Sequence, residues 1–221
     1  MNFPDHLFPD AWQWFGWLLA ATALAAAAAT APWHRLGEGV RLNVWLGTVV
    51  ALALLWSMKA GVYPGLNLHL LGASAFVLMF GLRLGFLGLA LVLVAVTLNG
   101  DGGWQAYGLN LLVTAAFPAL LAAGLLRLAE RFLPHNYFIY VFANAFFGAA
   151  LGVVAQGVLA TLLLDGAGVY AFDFLTSQYL PYFLLLGFAE AWLTGGLMAI
   201  MVIYLPRWVD SFDDARYLFH K

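Results

Sequence analysis

His69 occupies the most unusual setting in this sequence. It stands in GVYPGLNLHLLG (Gly61–Gly72), behind a Pro-Gly loop and, by its apolar neighbours, about one turn into a helix. An imidazole can shuttle protons near neutral pH or bind a metal ion. Ionisable groups inside apolar helices are costly and mark solute paths by default; the plainer reading is a neutral ring hydrogen-bonded between helices. Glu190 lies eleven residues into the last apolar segment, roughly 16 Å down at about 1.5 Å per residue. A carboxylate that deep must be protonated, paired or facing a polar cavity. Gln156 and Thr194 are candidate partners, and a place in the lining below His69 is the functional alternative. Asp101, in Gly100-Asp101-Gly102-Gly103, makes a tight turn or orients a neighbouring strip or imidazole as an outer carboxylate does. Asn110 would brace the same network. His6 is read either as solvated near the headgroups or as a ligand. His34, His135 and His220 receive no role.

The elements that must position these groups are apolar throughout. The 221 residues are 64% hydrophobic and 9% charged, with mean hydropathy +0.89, against about 25% charged for a soluble domain. This is the composition of an integral membrane protein, with no polar stretch long enough for a separate globular domain. A net charge of −2 argues against a nucleic-acid partner. Without cysteine there are no disulfides, and any metal must be held by nitrogen and oxygen. The first apolar stretch lacks the basic start of a signal peptide and carries Asp5 and Asp10 instead.

Residues 1–10 hold two prolines and form an irregular strip, with Asp10 placed to cap the first helix. Apolar segments follow at Ala11–Ala31, Asn43–Met58, Asn67–Gly81, Leu84–Asn99, Tyr107–Leu128 (kinked at Pro118), Tyr137–Leu164 and Tyr179–Leu205. The pattern predicts an all-α membrane protein, one transmembrane domain of about seven helices over residues 1–221. Seven crossings put Arg35, Arg41, Arg83, Arg127, Arg131, Arg207, Arg216 and Lys221 on one side and only Lys59 on the other. The positive-inside rule then sets the N-terminus outside and the C-terminus inside. The N-terminal strip, the Gly61–Gly65 loop, Asn99–Gly108 and Asp165–Gln178 would share the outer face. Ala21, Ala25 and Ala29 make a small-residue stripe, for packing within the fold or docking of another membrane subunit.

Four islands, MNFPDHLFP, PGLNLHLLGA, NGDGGWQAYGLN and GFAEAWLTGGLMAIMVIYLPRWV, resemble the cobalt/nickel-capturing membrane subunits of energy-coupling-factor ABC transporters, the CbiM/NikM family. The likeness runs over nearly the whole chain. It implies that the free N-terminus folds into the bundle and chelates the ion through the amine of residue 1, a histidine at position 2 and the HLLG histidine. In this sequence those positions are Met1, Asn2 and His69. Asn2 replaces an imidazole by an amide, so the expected site is rearranged: the Met1 amine, His6 and His69, with Asp5 or Asn2 as oxygen ligand. Asp101, Asn110 and Glu190 would stand behind it. Such nitrogen and oxygen donors suit cobalt, nickel, zinc or copper(II), and no organic cofactor is implied. The resemblance also implies a bacterial inner-membrane importer whose partners are an ATPase module and a transmembrane coupling subunit. Nucleophile, zinc-protease and phosphate-loop motifs are missing, so the chain is read as a non-enzyme. Two rival readings are the same fold with metal binding lost, and an intramembrane enzyme using Glu190 and His69 as acid and base.

Overall fold

The computed structural model describes residues 2–61 and 63–217. Met1, His220 and Lys221 lie outside the described residues. The fold is all-helical: α1 (Asp10–Thr30), α2 (Arg41–Ser57), α3 (Ala73–Leu98), α4 (Tyr107–Phe132), α5 (Tyr137–Gly166), α6 (Phe172–Gln178), α7 (Tyr182–Tyr204) and α8 (Asp214–Tyr217). Among the described residues, α4, α5 and α7 are long and apolar enough to cross a membrane, as is α3 by its total length and composition. Proline sets several ends, because it disfavours helical geometry in the residue before it. Ala31 is extended before Pro32, and α7 stops ahead of Pro206. Asp10 does not cap α1 from outside. It is the first helical residue behind Pro9, where its charge meets the positive helix end.

The segments expected at Asn67–Gly81 and Leu84–Asn99 become the two halves of α3. Gly81 interrupts that helix at φ 76° and ψ 170°, a conformation open to glycine because it has no Cβ. The Cβ that Gly85 lacks would lie 3.2 Å from the Cα of Val77, and Gly88 packs directly on the Phe76 ring. Eight and twelve residues along a straight helix are about 12 and 18 Å, so the halves fold back on each other. The carbonyls of Leu78 and Met79 are taken up by the backbone N–H groups of Ser211 (3.2 Å) and Asp210 (3.0 Å). In α4 the kink expected at Pro118 is handled by a π-helical turn, Leu112–Ala116, just upstream. A widened turn absorbs the hydrogen bond that proline cannot donate. Residues expected as a loop at Asp165–Gln178 are partly helical, since α5 runs to Gly166 and α6 fills Phe172–Gln178.

Contacts divide the molecule into two ends. At one, Arg35 and Arg41 pair with Asp210, Arg83 donates to the Thr30 carbonyl, and Arg216 reaches Glu130 and His135. At the other, the start of the chain meets the connectors 58–72 and 99–106, and the Tyr170 hydroxyl donates to the Pro64 carbonyl at 3.0 Å. Ala21, Ala25 and Ala29 are exposed, while Ala20 and Ala27 of the same helix are buried. The stripe is therefore not used in packing within the chain.

Candidate metal site

The connector from α2 to α3 is extended where its sequence reads as helix. Leu68 pairs with Ala60 through two backbone hydrogen bonds of 2.6 and 2.9 Å, and the helix starts only at Ala73. Gly72, in left-handed geometry at φ 63° and pressed against Leu52, makes the turn into it. His69 thus sits on a strip rather than in a helix, and is 3% exposed. Trp56 of α2 lies over the imidazole with centroids 4.8 Å apart and donates its indole N–H to the Leu71 carbonyl at 2.9 Å. The Nδ1 of His69 stands 3.0 Å from the Leu70 carbonyl. A carbonyl only accepts, so the proton is on Nδ1 and the basic lone pair is on Nε2.

His69 lies outside the spanning helices, and burial holds its imidazole well below the usual 6.5, so the ring is neutral. Below about pH 6.5 the unfolded chain then binds more protons at this residue than the folded one, and folding weakens as pH falls. Melting temperature in detergent is expected to be flat in this contribution from pH 8 to 7 and to decline from 6.5 toward 5. In His69→Gln that part of the decline is expected to be gone; an unchanged pH profile would count against a buried neutral imidazole.

Glu190 closes the strip from α7. Its carboxylate accepts from the backbone N–H of Leu71 (2.8 Å) and of Gly72 (2.6 Å), and from the Thr194 hydroxyl at 3.4 Å. Of the two partners expected from sequence Thr194 is found and Gln156 is not; the main donors are backbone amides. Gln156 has a buried Nε2 with no hydrogen-bond partner among the described residues. No hydrogen bond joins Glu190 to His69.

The start of the chain docks beside this strip. The Asn2 N–H donates to the Asn67 side-chain carbonyl at 2.8 Å, and the Asn67 amide returns a bond to the Asn2 carbonyl at 3.1 Å. Asn110, fully buried on α4, does the same for Phe3, accepting from its N–H at 2.6 Å and donating to its carbonyl at 2.9 Å. Two asparagine side chains thus imitate the edges of a sheet around a strip that has no strand partner. Gly103 adds a backbone bond to the Phe3 carbonyl at 3.1 Å. The Phe3 ring is buried against Phe8 at 4.9 Å. Asp5 accepts from the N–H groups of Gln105 (2.7 Å) and Ala106 (3.3 Å), capping the turn that leads into α4.

Residues two apart on an extended chain face the same way, so Asn67 and His69 share a side, and Asn67 holds Asn2 there. Asn2 is 1% exposed, and neither its Oδ1 nor its Nδ2 has a hydrogen-bond partner among the described residues. A buried orphan amide costs about 1–3 kcal/mol, a cost that a ligand or water would remove. His6 is exposed and takes φ 64°, and the exposed Asp5 is engaged with the α4 turn. Among the described residues no three of His, Cys, Asp or Glu gather around one point. Asp101 pairs with Lys59 at 2.6 Å and accepts from Asn99 at 2.9 Å, instead of touching the strip or an imidazole. Burial works to raise its carboxyl, but Lys59 and Asn99 hold it below the usual value. This ion pair spans a cleft of 480 Å³ whose walls include Asn2, Asp5, Tyr63, Asn67 and Gly102. Sequence reasoning missed Asn67, Trp56 and Lys59. Asn67 alone carried a signal, standing two residues before His69.

The fold is that of a multi-helix apolar bundle that holds the start of its own chain against buried amides and beside a strip carrying a buried imidazole. More narrowly, the sequence profile of the cobalt-uptake substrate-specific transmembrane region, CbiM, matches residues 2–208, and the chain belongs to that family. It is also similar in fold to a solved transition metal transporter, with 18% identity and TM-score 0.71 over 94% of this chain and 93% of the other. A truncated transition metal transporter is similar too, with 18% identity and TM-score 0.72 over 92% and 98%. Among curated proteins no similar sequence is found. The family makes this a component of transition-metal uptake and not an enzyme.

Proposed function

We propose that the chain captures a divalent transition-metal ion, cobalt or nickel foremost, at the end of the bundle where residues 2–8 dock. The observation that carries this reading is the buried Asn2 amide, without a partner among the described residues, held by Asn67 two residues before His69 on the same extended strip. In this reading the His69 Nε2, the Asn2 Oδ1 and the Met1 amine are ligands. Asp5, on the wall of the cleft, and the exposed His6 next to it in sequence would first meet the arriving ion. Asp101 and Asn110 hold the walls.

The site faces outward in a seven-crossing topology with the N-terminus outside. That topology is supported by the gathering of Arg35, Arg41, Arg83, Arg207 and Arg216 at the opposite end, as expected for the cytoplasmic face of an inner membrane. The chain carries no phosphate loop, so inward release would be driven by a separate ATPase module through a transmembrane coupling subunit. The exposed alanines of α1 suit close approach of such a subunit's helix.

The test is purification with an untagged N-terminus and measurement of bound cobalt, nickel, zinc and copper. One ion per chain, lost at least 100-fold in affinity in His69→Ala with the melting curve kept, is the expected result. Protein with no affinity for any of the four would favour a relative that has kept the fold and lost the cargo.

A further inference from the structure

Glu190 is the one buried acid among the described residues. No described cation touches it: its oxygens take the amides of Leu71 and Gly72 and the Thr194 hydroxyl. The other acids near this end are accounted for. Asp101 is neutralised by Lys59, and Asp5 lies exposed on the α4 turn. The amides of Asn2, Asn67 and Asn110 and the imidazole of His69 carry no charge, and the nearby Lys59 adds positive charge rather than negative.

Two costs therefore face each other across the strip. A carboxylate inside a membrane bundle is expensive without an opposite charge, and a doubly charged ion on neutral ligands is expensive for the same reason. Amide hydrogen bonds alone would be served by an uncharged acceptor. Leu71, which holds one Glu190 oxygen, is two residues from His69, and an extended chain advances about 3.3 Å per residue. The carboxylate thus lies on the order of 10 Å from the imidazole.

We propose that Glu190 is the buried counter-charge of the captured ion, besides clamping the strip that carries His69. This rests on the capture reading above. At about 10 Å and an effective dielectric near 20, one negative charge strengthens binding of a divalent ion about 100-fold and of a monovalent ion about 10-fold.

The experiment titrates purified protein with Co²⁺ and with Ag⁺, a monovalent ion that imidazole also binds. In Glu190→Gln the expected loss is about 100-fold for Co²⁺ and about 10-fold for Ag⁺. Glu190→Asp keeps the charge and shortens the clamp, and is expected to hold Co²⁺ within about tenfold of wild type. Equal losses for both ions in Glu190→Gln, or none, would overturn the counter-charge and leave only a clamp. If Glu190→Gln does not fold, Glu190→Asp decides: loss of both ions alike by more than tenfold overturns the proposal. Wild-type protein that binds neither ion, or binds both equally well after His69→Ala, removes the capture reading itself and this inference with it. Wild type that binds through His69 with an unmoved Co²⁺-to-Ag⁺ ratio in Glu190→Gln removes this inference alone.

Discussion

Asn110→Leu is expected to release the first residues of the chain from the bundle while leaving the helices folded. Leucine has the same branched heavy-atom skeleton as asparagine and favours helix, so α4 keeps its course at the cost of some crowding. What disappears is the pair of bonds that hold Phe3, 2.6 Å to its N–H and 2.9 Å to its carbonyl. The carbonyl keeps its bond from Gly103, but the buried Phe3 N–H is left with nothing. An orphaned amide costs about 1–3 kcal/mol, and the lost bonds add about 1 kcal/mol. A docked state weakened by about 2–4 kcal/mol is populated roughly 30- to 1000-fold less. Hydrogen exchange at the Phe3 amide should accelerate by that factor, and metal affinity, if Asn2 is a ligand, should fall with it. Exchange as slow as in wild type would show that Asn110 does not pin the strip.

Gly103→Ala is expected to act at the same place from the opposite wall, by collision rather than by loss of a bond. The added methyl would run into both the backbone nitrogen and the carboxylate of Asp5. Backbone cannot rotate aside, so the strip or the 99–106 connector has to move. Movement there breaks the Gly103 bond to Phe3 and both Asp5 bonds at the start of α4. Three hydrogen bonds at about 1 kcal/mol each put the expected loss of docking near 100-fold. Proteolysis between Phe3 and Trp12 should become rapid in the variant while the far end of the bundle stays resistant. Gly100→Ala, in the same connector, meets no neighbour, but its φ of 84° makes strain without collision. It is expected to lower stability without freeing the strip, which separates the two causes.

What could be read in the sequence follows from which interactions leave a trace in residue types. Apolar runs bounded by prolines disclose helices, because burying backbone in lipid permits little else, and α1, α2, α4, α5 and α7 lie close to the ranges expected. Asn67–Leu71 reads as helix for the same reason. Its apolar character resembles a helix start, whereas Gly72 and the pairing of Leu68 with Ala60 keep it extended, and pairing leaves no mark in composition. The short α6 was hidden by the polar and glycine residues around it. Around the candidate site, His69 and Glu190 stood out because ionisable residues are rare in such segments. The partners of Glu190 could not be named, since they are backbone amides that every sequence possesses. Asn67 and Asn110 are legible only once the path of the first three residues is known, because their work is done on main-chain atoms more than sixty residues away in the chain.

The reversal at Gly81 has a consequence for how the protein is made. The carbonyls it sets loose at Leu78 and Met79 wait for donors 133 and 131 residues later, at Ser211 and Asp210. Until the last connector has left the ribosome and entered the bundle, that corner has open acceptors. A nascent chain truncated after α7 should therefore carry every long helix and still be recognised by membrane quality-control proteases as unfinished.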